Sequence, residues 1–119
     1  MNKKIFEAFI DEHFPQRKEE LMTSFQNYLD LLWDTNSRVN LVSRKTSQED
    51  YWTLHLLDSI LPASFFDFSK KKILDFGSGG GLPGIPIKLL YPTSEIHMLD
   101  SITKKMLAVN NMIKSLDVQ

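Results

Sequence analysis

Residues 72–84 read Lys-Ile-Leu-Asp-Phe-Gly-Ser-Gly-Gly-Gly-Leu-Pro-Gly, and they concentrate the residue types best suited to chemistry. Gly77, Gly79 and Gly81 alternate, Gly80 and Gly84 lie among and after them, and these are all 5 glycines of the chain. A short apolar run, Ile73 and Leu74, ends in Asp75 just ahead of them. Glycine is needed where φ must be positive or where a backbone must come close to a ligand. Set between a strand-like run and a helix-like run, the cluster reads as a strand, a tight ligand-binding turn and a helix. That is the opening of a nucleotide-binding α/β unit. A second strand-like run over residues 95–99 also ends in a carboxylate, Asp100, followed by Ser101. Ligands of parallel sheets sit outside the carboxyl ends of the strands, so Asp75, the glycines and Asp100 are expected to meet there. Asp100 follows Gly81 at close to the spacing at which an acidic side chain reaches a ribose. A carboxylate accepts two hydrogen bonds from a 2′,3′-diol and repels a 2′-phosphate, which favours an adenosine-containing ligand without that phosphate. A dinucleotide fingerprint counted from Gly77 fails, because Leu82 stands where its third glycine would be.

These residues need a scaffold, and periodicity supplies one. Residues 3–13 form an amphipathic helix, with Ile5, Phe6, Phe9 and Ile10 on one face. A second helix from Gln16 to Asp34 carries the stripe Leu21, Phe25, Tyr28, Leu29, Leu32 and Trp33, which reads as core packing. Residues 34–37 read as a turn, and residues 38–45 as an irregular connector with three basic side chains. A third helix is expected from Gln48 to Leu61, opened by a Thr46-to-Glu49 or Ser47-to-Asp50 capping box. It should turn Tyr51, Leu54, Leu57 and Leu61 inward and close at Pro62. His55 and Asp58 share one face of that helix, either facing a site or making a surface contact. Lys70, Lys71 and Lys72 read as a solvated loop. After the glycine turn, a helix runs through Ile85, Ile87, Leu89 and Leu90, with Pro83 and Pro86 tolerated in its first turn. The last helix turns Met106, Val109, Ile113 and Leu116 inward. The layout is three N-terminal helices over residues 1–66, then β-α-β-α over residues 67–119, making one compact α/β domain.

Composition sets outer limits. The chain has 119 residues, of which 42% are hydrophobic and 24% charged, ordinary values for a globular domain. Net charge is −1, so contact with nucleic acid has to come from local basic clusters and not from a global field. The absence of cysteine excludes disulfides, thiolate metal sites and thiol catalysis. Acidic residues interrupt the first apolar stretch, so it is not a signal peptide. No apolar run approaches the roughly 20 residues needed to span a bilayer.

The motif Asp-Phe-Gly-Ser-Gly-Gly-Gly resembles the first motif of class I S-adenosylmethionine-dependent methyltransferases, whose fold is Rossmann-like. The likeness goes further. The runs LDFGSGGGLPGIPIKLLYP and LDSITKK, with Asn40-Leu41-Val42-Ser43 and His55-Leu56-Leu57-Asp58-Ser59 upstream in the same order, resemble the RsmG family, also called glucose-inhibited division protein B. The resemblance covers about residues 21–116. It implies a cytoplasmic bacterial enzyme that moves a methyl group from S-adenosylmethionine to N7 of a guanine in 16S rRNA of the small ribosomal subunit. It also implies that Asp75, Gly77, Ser78, Gly79, Gly81, Leu82, Asp100 and Ser101 bind the cofactor. Asn40, His55 and Asp58 would face the RNA substrate, and Lys104 and Lys105 would meet RNA phosphate or the cofactor rim. Guanine N7 carries a free lone pair, so positioning carries the catalysis; no general base and no metal are implied. Members of the family are about twice as long. These residues therefore correspond to the N-terminal half, as a fragment, a truncated product or a chain completed by a second copy through its open sheet edge. A non-catalytic nucleotide-binding module and an oligomerising structural protein are the alternatives.

Overall fold

The computed structural model describes residues 2–42, 46–76, 81–99 and 103–116; for residues 75–76, 98–99 and 103–105 it describes the backbone alone. Helix α1 (Asn2–His13) buries Phe6 and Ile10, while Ile5, expected on the same face, stays exposed. Pro15 begins a single 3-10 turn, and helix α2 (Lys18–Asn36) follows. Glu19 and Glu20 in its first turn complement the helix dipole. Its stripe packs as expected through Leu21, Phe25, Tyr28, Leu29 and Leu32, and only Trp33 lies at the margin. Helix α2 outlasts the expected stop at Asp34 by two residues, and Thr35 and Asn36 are buried. The reason is local: Asn36 Oδ1 accepts the amides of Leu41 at 2.7 Å and Val42 at 3.0 Å, which holds the connector back against the helix end.

The third helical segment departs most from its expected form. Ser47 caps it as expected, with its Oγ accepting the Asp50 amide at 3.2 Å. It then runs as a π-helix over Trp52–Leu57, as the short helix α3 over Asp58–Ile60, and as a 3-10 turn over Leu61–Ser64. Tyr51 is buried and Leu57 packs on the core, but Leu54 is 58% exposed and Leu61 is also exposed. Trp52, Leu56 and Ile60 are buried instead. The i→i+5 bonding widens each turn, so the inward face recurs at every fourth residue from Trp52.

Strands β1 (Lys72–Phe76) and β2 (Glu95–Leu99) pair in parallel from Lys72 with Glu95 to Phe76 with Leu99. Parallel neighbours need a crossover connection, supplied here by helix α4 (Gly84–Leu90). Helix α5 (Thr103–Leu116) follows β2 and buries Ala108, Val109 and Met112; Ile113 and Leu116 pack beside them. One hydrophobic cluster joins α1, α2 and the π-helical segment to Ile85, Leu90, Val109 and Met112. Phe6 stacks at a tilt on Phe25 at 4.9 Å and on Trp52 at 5.2 Å. Arg17 fastens the helical layer to the sheet layer. Its guanidinium donates to the Leu90 carbonyl at 2.6 Å and the Leu89 carbonyl at 3.3 Å, satisfying the last turn of α4.

Candidate functional site

Gly81 ends the glycine cluster at φ +86°, a conformation that L side chains rarely adopt. A Cβ there would lie 2.4 Å from Cδ1 of Ile85, so both backbone and packing demand glycine. The Gly81 carbonyl accepts the Ile85 amide at 2.7 Å and starts helix α4. Leu82 and Pro83, joined by a cis peptide, come between them. This turn presses against the π-helical segment. Leu82 and Pro83 form one wall of a groove of about 280 Å³, and Leu54, His55, Asp58, Ser59 and Pro62 form the other. Thus His55 and Asp58, whose common face admitted either reading, open on the same groove as the residues that follow the glycines.

His55 is held in place from three directions. Its ring meets Tyr51 edge-on at 5.0 Å, its carbonyl accepts the Ser59 hydroxyl at 2.6 Å, and the π-helical backbone carries it. Its Nε2 is buried without a hydrogen-bond partner among the described residues. Burial holds its pKa below the ordinary 6.5, and the Asp58 carboxylate opposes that shift. Burial therefore favours the neutral imidazole, with Nε2 shut away from solvent. Asp58 itself is exposed.

Asn40 is exposed on the connector that Asn36 pins. Neither it nor any other connector residue lines the His55 groove among the described residues. Next to Tyr51 on its other side is a second groove of about 250 Å³, lined by Trp33, Asn36, Ser37 and Tyr51. Sequence reasoning placed Trp33 and Tyr51 in the core and Asn36 in a turn. The only early signal for Asn36 was an asparagine near a helix end, a residue suited to bonding nearby backbone amides. A larger groove of about 410 Å³, lined by Asn27, Asp30, Leu89 and Leu116 among others, holds none of the expected site residues.

Gly77, Ser78, Gly79, Asp100 and Ser101 lie outside the described residues, as do the side chains of Asp75, Lys104 and Lys105. The strand register bears on them through the chain itself. Phe76 and Leu99 are the last paired residues, at the same end of adjacent parallel strands, and Gly77 and Asp100 are the residues that follow each. Neighbouring strands run about 4.8 Å apart. Among the described residues no cluster of three or more metal-binding side chains occurs.

Residues 21–119 match the family described as GidB, rRNA small subunit methyltransferase G. The chain is 35% identical over 119 residues to the ribosomal RNA small subunit methyltransferase G of Macrococcus caseolyticus, spanning 99% of this chain and 50% of that protein. It is 34% identical over 113 residues to ribosomal RNA small subunit methyltransferase G 1 of Bdellovibrio bacteriovorus, spanning 87% and 55% respectively. The Staphylococcus aureus (strain Newman) protein of the former name is 35% identical over 111 residues, spanning 92% and 46%. The chain thus spans about half the length of the curated relatives it matches.

Proposed function

We propose, since the chain belongs to the GidB family of rRNA small subunit methyltransferase G proteins, that it carries the donor turn and one substrate wall of a methyltransferase. In this reading the donor is S-adenosylmethionine and the acceptor is guanine N7 in 16S rRNA of the small subunit. One observation carries it. The groove behind the glycine turn is shared between Leu82-Pro83 and the His55-Asp58 pair, two sequence signatures far apart in the chain.

The cofactor supplies a methyl group already activated on a sulfonium. The chain's residues then have to bind, orient and keep water out. Gly77, Ser78, Gly79 and Gly81 let the backbone approach the cofactor, with Leu82 closing the turn beside it. Asp75 orients the turn, and Asp100 with Ser101 takes the ribose diol. Neutral His55 lines the groove where the base would sit, with its Nε2 buried and unpartnered among the described residues. Asp58 accepts from an exocyclic amine, and Asn40, Lys104 and Lys105 meet the RNA strand. N7 has its own lone pair, so the rate rests on alignment. The fold is completed as a Rossmann-like sheet, with a helical region, 1–66, set against a cofactor region, 67–119. An rRNA substrate places the protein in the cytoplasm; among the described residues no helix is long and apolar enough to cross a membrane.

The test is calorimetric titration of the chain with S-adenosylmethionine, with NAD and an Asp100→Ala variant as controls, followed by methyl transfer to 30S subunits. Saturable binding that the variant loses is expected. A folded chain that binds nothing at millimolar ligand overturns the donor site. A second reading rests on the sheet. Leu74 on β1 is 53% exposed, and among the described residues the sheet has two strands and so an unpaired outer edge on each. Self-association through such an edge would appear as concentration-dependent sedimentation, and a monomer at all concentrations removes it.

A further inference from the structure

The groove between the end of α2 and the start of the π-helical segment has an unusual wall. Trp33 is 43% exposed although its neighbours in the stripe, Leu29 and Leu32, are buried. Its ring is not loose. Tyr51 meets it edge-on at 5.4 Å, and Tyr51 in turn meets His55 edge-on at 5.0 Å. Three rings therefore run in a row from solvent to the groove of the donor turn. Two polar side chains of the Trp33 groove are already engaged. Asn36 bonds Leu41, Val42 and the Tyr51 hydroxyl, and the Ser37 hydroxyl donates to the Asp34 carbonyl at 2.6 Å. What remains is an aromatic face in a slot of about 250 Å³, room for a single flat ring and not for a paired helix. Arg38, next in the chain to Ser37, pairs with Asp34 at 2.9 Å, with both side chains more than half exposed. Such a pair is worth little in water, so its cation is free to be traded for a phosphate.

We propose that this groove is a stacking subsite for one unpaired nucleobase of the RNA substrate, a neighbour of the methylated base, with Trp33 as platform and Arg38 on the adjoining phosphate. The inference rests on the rRNA reading above and deepens it. Single-stranded RNA is recognised largely by stacking unpaired bases on aromatic side chains. Stacking on Trp33 uses the π-face that every base has, so the slot takes any of the four bases. Base identity is left to the His55 groove.

The chain reports on itself, because its 2 tryptophans differ: Trp52 is buried and Trp33 is not. The probe is a short RNA hairpin with an unpaired loop, compared with the same hairpin made abasic at single loop positions. Anisotropy reads binding, and tryptophan emission reads stacking. The intact hairpin is expected to quench emission, and one abasic position is expected to remove the quenching and weaken binding tenfold or more. Trp33→Leu should lose the same affinity with an unchanged circular dichroism spectrum, and Trp33→Phe should keep part of it. Exchange of the base at the sensitive position should change affinity less than twofold. A hairpin that binds with emission and affinity indifferent to Trp33→Leu overturns the subsite and leaves the rRNA reading standing. Quenching by S-adenosylmethionine alone assigns the slot to the cofactor's adenine and overturns it as well. A chain that binds S-adenosylmethionine but no RNA overturns the rRNA reading, and the subsite with it.

Discussion

The two halves of the molecule are built on different terms. In the helical half, Phe6, Phe25, Tyr28 and Leu56 are closed off from water, and rings pack on rings across three elements. In the sheet half, two strands form the whole described sheet, and Leu74 stays half in water. The residues expected to hold the cofactor belong to this thinner half, and of those expected to face the substrate Asn40, His55 and Asp58 belong to the dense one. The groove lies at their meeting. A site that needs precise placement gains from a rigid wall, and here the wall is the π-helical segment clamped by α1 and α2. The sheet half joins the helical half through Ile85, Leu90 and the Arg17 guanidinium.

The contrast is broken most directly by truncating each half. Phe25→Ala should cost about 3–5 kcal/mol in urea denaturation, whereas Leu74→Ala should cost less than about 1 kcal/mol. Similar losses would mean that the two halves are equally consolidated. Gly81→Ala tests the junction. It forces a side chain into a positive-φ position and against Ile85, so a loss of about 1–3 kcal/mol is expected, together with loss of S-adenosylmethionine binding in calorimetry. A stable variant that binds normally would show that the turn tolerates a different path.

Asn36→Leu probes the seam between α2 and the connector. It leaves the Leu41 and Val42 amides without their acceptor, at about 1–3 kcal/mol, and faster amide exchange at those two positions should accompany it. Exchange rates equal to wild type would dismiss Asn36 as the pin. The smallest effect concerns pH. The folded chain holds the His55 pKa below 6.5, so the unfolded chain binds the proton more readily. The contribution of neutral His55 is therefore complete above about pH 6.5 and is lost as pH falls from there through the lower folded pKa. Melting curves of His55→Leu should lack that part of the acid decline, and a parallel decline in both proteins would place the cause elsewhere.

Much of this was legible in the sequence. Periodicity located α1, α2, α4 and α5 within a few residues, because amphipathic stripes record which face is buried. The two strand-like runs and the glycines between them marked the β-α-β order, and Gly81 is the glycine among the described residues that the backbone requires. Family membership followed from four motifs in order. The third helical segment was not legible. Residues 51–61 fit an α-helical stripe, and nothing in that stripe signals the i→i+5 bonding of the segment that packs Trp52 on Phe6. The exposure of Trp33 escaped for the same reason, because a stripe shows which side faces inward but not where the neighbouring element ends.

The sequence by itself therefore determined the backbone demands at Gly81, the parallel βαβ order and the chemistry offered at the strand ends, all of which depend on residue type and spacing. Only the tertiary structure decided that His55 and Asp58 share a groove with Leu82 and Pro83. It alone decided that Tyr51 stands between that groove and Trp33. Those neighbours are set by how helices and sheet close over one apolar core, and contacts between segments so far apart in the chain leave no trace in local periodicity.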